Sequence, residues 1–146
     1  MTTMAALLKR KTSALISISP DARIREVVTV LAEKRIGAVV IQSEANDLLG
    51  ILSERDVVRS LAANGIATLD MAARQLMTSA PTTATLATTV FEAETLMTEG
   101  RFRHLPIVEG GKLVGVVSIG DVVKSLIDEQ EQQVNSLRDY VTGARA

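Results

Sequence analysis

The chain of 146 residues carries 16 Lys and Arg against 17 Asp and Glu, so it lacks the basic surplus of a nucleic-acid binder, and its 2% aromatic content supplies few rings to stack on single strands. Hydrophobic residues make up 47%, enough to fill one compact domain or two small intertwined ones with Val, Ile, Leu, Ala and Met. The absence of cysteine excludes a disulfide scaffold and thiolate metal sites, and suits a reducing compartment.

In chain order, residues 1–10 (MTTMAALLKR) hold an apolar stretch too short for a signal-peptide core, with basic residues after it rather than before it. No apolar run approaches the roughly 20 residues of a membrane span, so a soluble, cytoplasmic protein with no membrane contact is expected. Ala14–Ser17 reads as a short strand entering a turn at Ser19, Pro20 and Asp21. The spacing of Ile24, Val27, Val28 and Leu31 predicts an amphipathic helix from about Ala22 to Arg35. Ala38–Ile41 and Leu48–Leu52, on either side of Asn46 and Asp47, predict a hairpin. A second helix is expected from Ser53 to a stop at Asn64 and Gly65.

Residues 66–76 read as a linker. Beyond it, Val90, Ala93, Leu96 and Met97 mark a helix, and His104–Val108 and Lys112–Val117 a hairpin around Gly110 and Gly111. Ser118 opens a helix that runs past Leu126. Residues 128–146 are a Gln- and Glu-rich extension whose Val134, Leu137 and Val141 fall at i, i+3 and i+7, expected as an exposed or partner-facing helix. Met71, Met77 and Met97 are expected to fill core space, and Glu26, Glu33, Glu92, Glu94 and Glu99 to face water.

The second half of the chain rewrites the first. GILSERDVVRSL from Gly50 to Leu61 lies over GVVSIGDVVKSL from Gly115 to Leu126, an offset of 65 with seven of twelve pairs identical. Upstream the offset is 66: Ser17–Ile24 lies over Thr83–Val90 and Arg35–Ile41 over Arg101–Ile107. The change falls in the turn between the two hairpin strands, where the first copy is one residue longer. Each copy therefore reads strand, helix, strand, turn, strand, helix. The expected divisions are an N-terminal segment 1–10, repeat one 11–65, a linker 66–76, repeat two 77–127 and a C-terminal helix and tail 128–146. One copy is too small to bury its sheet and both helices alone. Two copies can pack sheet against sheet about a pseudo-two-fold axis, giving an α+β fold with two equivalent clefts.

Two copies of a β-α-β-β-α unit, each with Gly-h-h-Ser-x-x-Asp (h apolar) opening its last helix, resemble tandem cystathionine-β-synthase (CBS) domains, the Bateman module, over about Thr12–Ile127. The runs Arg101–Val108 (RFRHLPIV) and Val117–Asp121 (VSIGD) are especially close to small bacterial proteins made of little else. The resemblance implies binding of AMP, ADP, ATP, NAD(H) or S-adenosylmethionine in the clefts and assembly as a disk-shaped homodimer. It also implies a regulatory role read by the dimer or by an unidentified protein partner.

The residues of the Ser-x-x-Asp motif admit two readings. Ser53 and Asp56, or Ser118 and Asp121, can form a capping box that satisfies the free N–H groups of a helix start, worth about 1 kcal/mol. The same helix start suits a phosphate, with the Ser hydroxyl as a further donor and the Asp carboxylate placed to accept both vicinal hydroxyls of a ribose. By the family pattern, the site of one repeat's Asp is completed by the other repeat. The resemblance thus implies Ser118, Gly120, Lys11, Thr12, Ile16, Ile36, Gly37 and Ala38 for Asp121. For Asp56 it implies Ser53, Arg55, Thr78, Thr82, Phe102, Arg103 and His104. Arg55, Arg103 and His104 would make the Asp56 site favour more phosphates, whereas Gly37 and Gly120 leave room for a dinucleotide beside Asp121.

His104 is the sole histidine, and a packed or hydrogen-bonded role competes with phosphate contact there; no second His or Cys offers metal-ligand spacing. Lys9, Arg10 and Lys11 read as a solvated helix end, with phosphate contact by Lys11 as the functional alternative. Ser and Asp of each motif open the same helix, and nothing places His104 between them as a base, so no catalytic residue is assigned. Two rivals to the sensor reading are an interaction module with empty clefts and an enzyme. CBS pairs do sit inside enzymes such as inosine-monophosphate dehydrogenase, but no catalytic barrel accompanies this one.

Overall fold

The computed structural model describes residues 1–11 and 15–143. Helix α1 (Met4–Arg10) is capped by Thr3, whose side chain accepts from the Ala6 N–H, and Lys9 and Arg10 sit at its negative end. Strand β1 (Ser17–Ile18) leads to α2 (Ile24–Lys34), which buries Ile24, Val27 and Leu31 at helical spacing. Strands β2 (Ala38–Gln42) and β3 (Leu48–Ser53) form the expected hairpin, with Val40 opposite Ile51. Helix α3 (Glu54–Asn64) stops at Gly65, which takes a φ of 63°. In the second copy follow α5 (Val90–Gly100), β5 (His104–Glu109), β6 (Lys112–Ser118) and α6 (Ile119–Thr142).

The expected linker is folded. A 3-10 helix (Gly65–Asp70) and the single turn α4 (Ala73–Leu76) fill it, and strand β4 (Thr78–Ser79), just past it at the start of the expected repeat two, pairs antiparallel with β3. The sheet order is β1-β2-β3-β4, with β1 parallel to β2. Thr68, fully buried, anchors the 3-10 helix by a 2.8 Å hydrogen bond to Ser60 of α3. Two further expectations shift. The first strand lies at Ser17–Ile18 rather than starting at Ala14, which falls outside the described residues. The C-terminal extension is no separate helix: α6 runs unbroken for 24 residues, because neither Gly nor Pro interrupts it between Gly120 and Gly143.

The internal repeat recurs in the backbone geometry. The parallel pair Ile18↔Ile41 returns, 66 residues on, as the single bridge Ala84↔Ile107. Arg35 and Arg101 both end their helices in the left-handed region, at φ 54° and 56°.

The chain divides into two compact units: Met1–Ser13 with Ala84–Ile107 and Gly115–Ala146, and Ala14–Thr83 with Val108–Val114. Helix α1 precedes copy one in sequence, yet it is built into the unit of copy two. Met4 and Leu7 pack there with Val90, Ala93, Met97, Leu105, Ile107, Val117 and Val122. Helix α4 precedes copy two and is built into the unit of copy one, where Ala73 joins Ile24, Val27, Val39, Ile41 and Leu52. The two arrangements repeat bond for bond. Met4 N donates to Thr88 O and Ala73 N to Ala22 O, both at 2.8 Å. Val90 N donates to Thr2 O and Ile24 N to Met71 O, both at 2.9 Å. Each leading helix thus occupies the same groove on the copy it does not precede.

Candidate functional site

In each copy the last strand residue is the N-cap of the following helix, so the sheet delivers its final Ser straight to a helix start. Asp56 N donates to Ser53 Oγ at 3.4 Å while Ser53 N donates back to Asp56 Oδ2 at 2.8 Å. In the second copy Asp121 N donates to Ser118 Oγ at 3.2 Å and Ser118 N to Asp121 Oδ2 at 2.9 Å. Both are complete capping boxes. Both carboxylates are half-buried, and among the described residues every hydrogen bond they accept ends on Oδ2. Among the described residues no donor reaches Oδ1 of either. Capping therefore takes up one oxygen and leaves the other.

The first amide of each helix is committed as well: Glu54 N donates to Gly37 O at 2.9 Å and Ile119 N to Arg103 O at 2.8 Å. The next amides, of Arg55 and Gly120, belong to the first turn, where a helix provides no internal acceptor. A half-exposed helix start with a carboxylate oxygen one turn along can bind a group that carries both anionic oxygen and hydroxyl donors.

The second copy adds a cation. Lys11 Nζ lies 3.0 Å from Asp121 Oδ2 and donates to Val116 O at 2.7 Å, with 29% and 30% of the two side chains exposed. Burial pushes the Asp121 carboxyl up, but the Ser118 backbone N–H and the Lys11 ammonium outweigh it and hold it below the ordinary 3.8. Lys11 ends α1, and its counterpart 66 residues on, Met77, ends α4. Met77 instead packs against Gly50. One Asp therefore has an ammonium partner where the other copy has a thioether.

Of the residues assigned to Asp121, Lys11, Ser118 and Gly120 lie in its unit, the last two on the same helix start. Thr12 falls outside the described residues. Ile16, Ile36, Gly37 and Ala38 lie in the unit of Asp56, where Ala38 pairs with Ser53 and Gly37 accepts from Glu54. Of those assigned to Asp56, Ser53, Arg55, Thr78 and Thr82 share its unit, with Thr78 opposite Ile51 on the strand that ends at Ser53. Phe102, Arg103 and His104 lie in the unit of Asp121, Arg103 bonded through its carbonyl to the α6 start. Sequence reasoning missed Val116, whose carbonyl fixes the Lys11 ammonium; hydrophobic strand residues give no sign of such a role. Among the described residues no helix is long and apolar enough to cross a membrane.

A helix-strand-strand-helix unit written twice, preceded by a strand in copy one and by a single bridge in copy two, with a capped Ser-x-x-Asp helix start in each, defines a pair of small α+β domains. The chain belongs to the CBS-domain family, which it matches over residues 11–63 and 73–128. It is similar to a CBS-domain-containing protein from Agrobacterium tumefaciens of known structure, at 39% identity and a TM-score of 0.81, covering 84% of this chain and 92% of that one. It is also similar to a CBS domain protein from Pyrobaculum aerophilum solved in complex with AMP, at 32% identity and a TM-score of 0.73, covering 82% and 88%. A mitochondrial CBS domain-containing protein of Arabidopsis thaliana is 32% identical over 127 residues, and this chain spans 84% of itself but 62% of that relative.

Proposed function

We propose that this chain is a non-catalytic regulatory module that binds an adenine nucleotide through the two Ser-x-x-Asp helix starts. The observation that carries this reading is the pair of matching carboxylates, each holding its helix cap with Oδ2 and keeping Oδ1 open, in a fold shared with a protein complexed with AMP. Asp56 and Asp121 accept the ribose hydroxyls, and the helix starts with Ser53 and Ser118 face phosphate. AMP, ADP, ATP, NAD(H) and S-adenosylmethionine are the ligand classes to compare. Lys11 gives the Asp121 end a positive charge beside its sugar acceptor.

The test is thermal unfolding of the chain with each ligand, followed by titration calorimetry. A ligand at about 100 times its dissociation constant stabilises by about 2.7 kcal/mol. Asp56→Ala and Asp121→Ala should each weaken one class of site roughly tenfold to hundredfold, since each removes hydrogen bonds to a charged acceptor. Circular dichroism of the two variants checks that the lost cap has not unfolded them. No shift with any of the ligands would favour an interaction module with empty clefts. Turnover of a nucleotide by the purified chain would overturn the non-catalytic reading.

A further inference from the structure

The function above leaves one helix face unused. On α6, Val123, Ile127, Gln130, Val134, Leu137 and Val141 follow at alternating steps of four and three residues, the spacing of a coiled-coil seam. All six are exposed, from 45% at Val123 and 48% at Val134 to 65% at Leu137 and 80% at Val141. The seam is distinct from the face that α6 turns to its own unit, where Val122 and Ser125 are buried. From residue 130 to Thr142 every residue but Ser136 is exposed, about 20 Å of helix outside the core of its own unit. This end also lies past residue 128, where the match to the family stops.

We propose that this end of α6 docks antiparallel on the same segment of a second copy of the chain. Charge selects both partner and register. Glu131 and Arg138 flank the seam on one side, two turns apart. Seating Val134 on Leu137 of the second copy, and Gln130 on its Val141, sets Glu131 of each copy beside Arg138 of the other, twice about a two-fold axis. Sliding by one heptad sets Glu131 on Glu131, or Arg138 on Arg138. A parallel pair would face Glu131 with Leu126 and Arg138 with Gln133, matching no charges. A surface complementary to itself under a two-fold rotation is the mark of an isologous contact. The antiparallel pair also keeps the remainder of the two chains at opposite ends of the coil.

Sedimentation equilibrium of the full chain tests this with charge reversals. Glu131→Arg and Arg138→Glu should each raise the self-association constant Kd about tenfold, because each turns two attractive pairs into two repulsive ones. The double reversal should return it to within about threefold of the parent, since the pairs are rebuilt with signs exchanged. Within one helix the two residues are too far apart to pair, so such rescue reports contact between copies. The chain has no cysteine, which allows a second readout. Mixed Gln130→Cys and Val141→Cys proteins should cross-link under mild oxidation, and neither should cross-link alone. A monomeric parent, a dimer indifferent to Leu137→Asp and to both reversals, or self-cross-linking of Gln130→Cys alone would each overturn the proposal.

Discussion

Asp121 carries a charge that its surroundings hold in place, and this makes its contribution readable by pH. Its burial raises the carboxyl, but the Ser118 N–H and Lys11 bring it below 3.8. A carboxyl depressed in the folded state adds stability above its unfolded value and loses it as pH falls through the folded one. Stability should therefore decline on acidification below about pH 4, more steeply in the parent than in Asp121→Asn. Urea unfolding at steps through that range checks it, and equal slopes would show that the Ser118 N–H and Lys11 do not outweigh burial at this carboxyl. A second residue-scale case is Ser125, the counterpart of Ser60 at an offset of 65. Ser60 Oγ pairs with Thr68, whereas Ser125 Oγ is buried and has no hydrogen-bond partner among the described residues. The second copy has no 3-10 helix there, since α6 continues. Ser125→Ala should be neutral or stabilising, while Ser60→Ala should cost about 1–3 kcal/mol because it strands the Thr68 hydroxyl. The denaturant midpoint should fall for Ser60→Ala and hold or rise for Ser125→Ala. The capping boxes were legible in the sequence because their partners are three residues apart. Lys11 beside Asp121 has no local signal, because 110 residues separate the two; the family resemblance assigned Lys11 to the Asp121 site as a phosphate contact, and the placement of α1 makes it a partner of the carboxylate itself.

At the scale of elements, the clearest contrast is between the two glycines that open the repeated motif. A Cβ on Gly50 would lie 2.6 Å from the Thr78 carbonyl oxygen and 2.7 Å from Met77 Sδ. The three atoms nearest a Cβ on Gly115 all belong to the Leu8 side chain, the first of them Cδ2 at 2.7 Å. Strand β4 cannot move aside without losing its pairing to β3, whereas a leucine tip can rotate. Gly50→Ala should therefore cost about 1–3 kcal/mol, and Gly115→Ala measurably less, in equilibrium unfolding. The hairpins and the longer helices were legible, since β-branched runs around Asn46 and Gly110 and the spacing of Ile24, Val27 and Leu31 are local signals. The 3-10 helix, α4 and β4 were not. Segments of six, four and two residues are too short to show a period, and tertiary contacts such as Thr68 with Ser60 hold them.

At the scale of the molecule, the exchange of leading helices makes stability nonlocal in sequence. Met4 is fully buried in the cluster that includes Val90, Leu105 and Val122, although copy one is the copy that follows it in the chain. Met4→Ala leaves a cavity in that cluster and should cost about 2–5 kcal/mol. The loss should fall on copy two. Amide hydrogen exchange should speed up across α5, β5 and the start of α6 while α2, β2 and β3 keep their protection. Leu76→Ala should do the reverse, because Leu76 follows copy one yet precedes copy two, and it packs on the Ile24 and Leu52 cluster. A pair of repeats each closed by its own leading helix would show the opposite assignment. If Met4→Ala loosened α2 and β2 instead, or both copies equally, the two units could not be separately closed cores. The proposed nucleotide site follows the same logic, since the ammonium beside Asp121 arrives on α1 and stays there only while Met4 and Leu7 hold that helix on copy two.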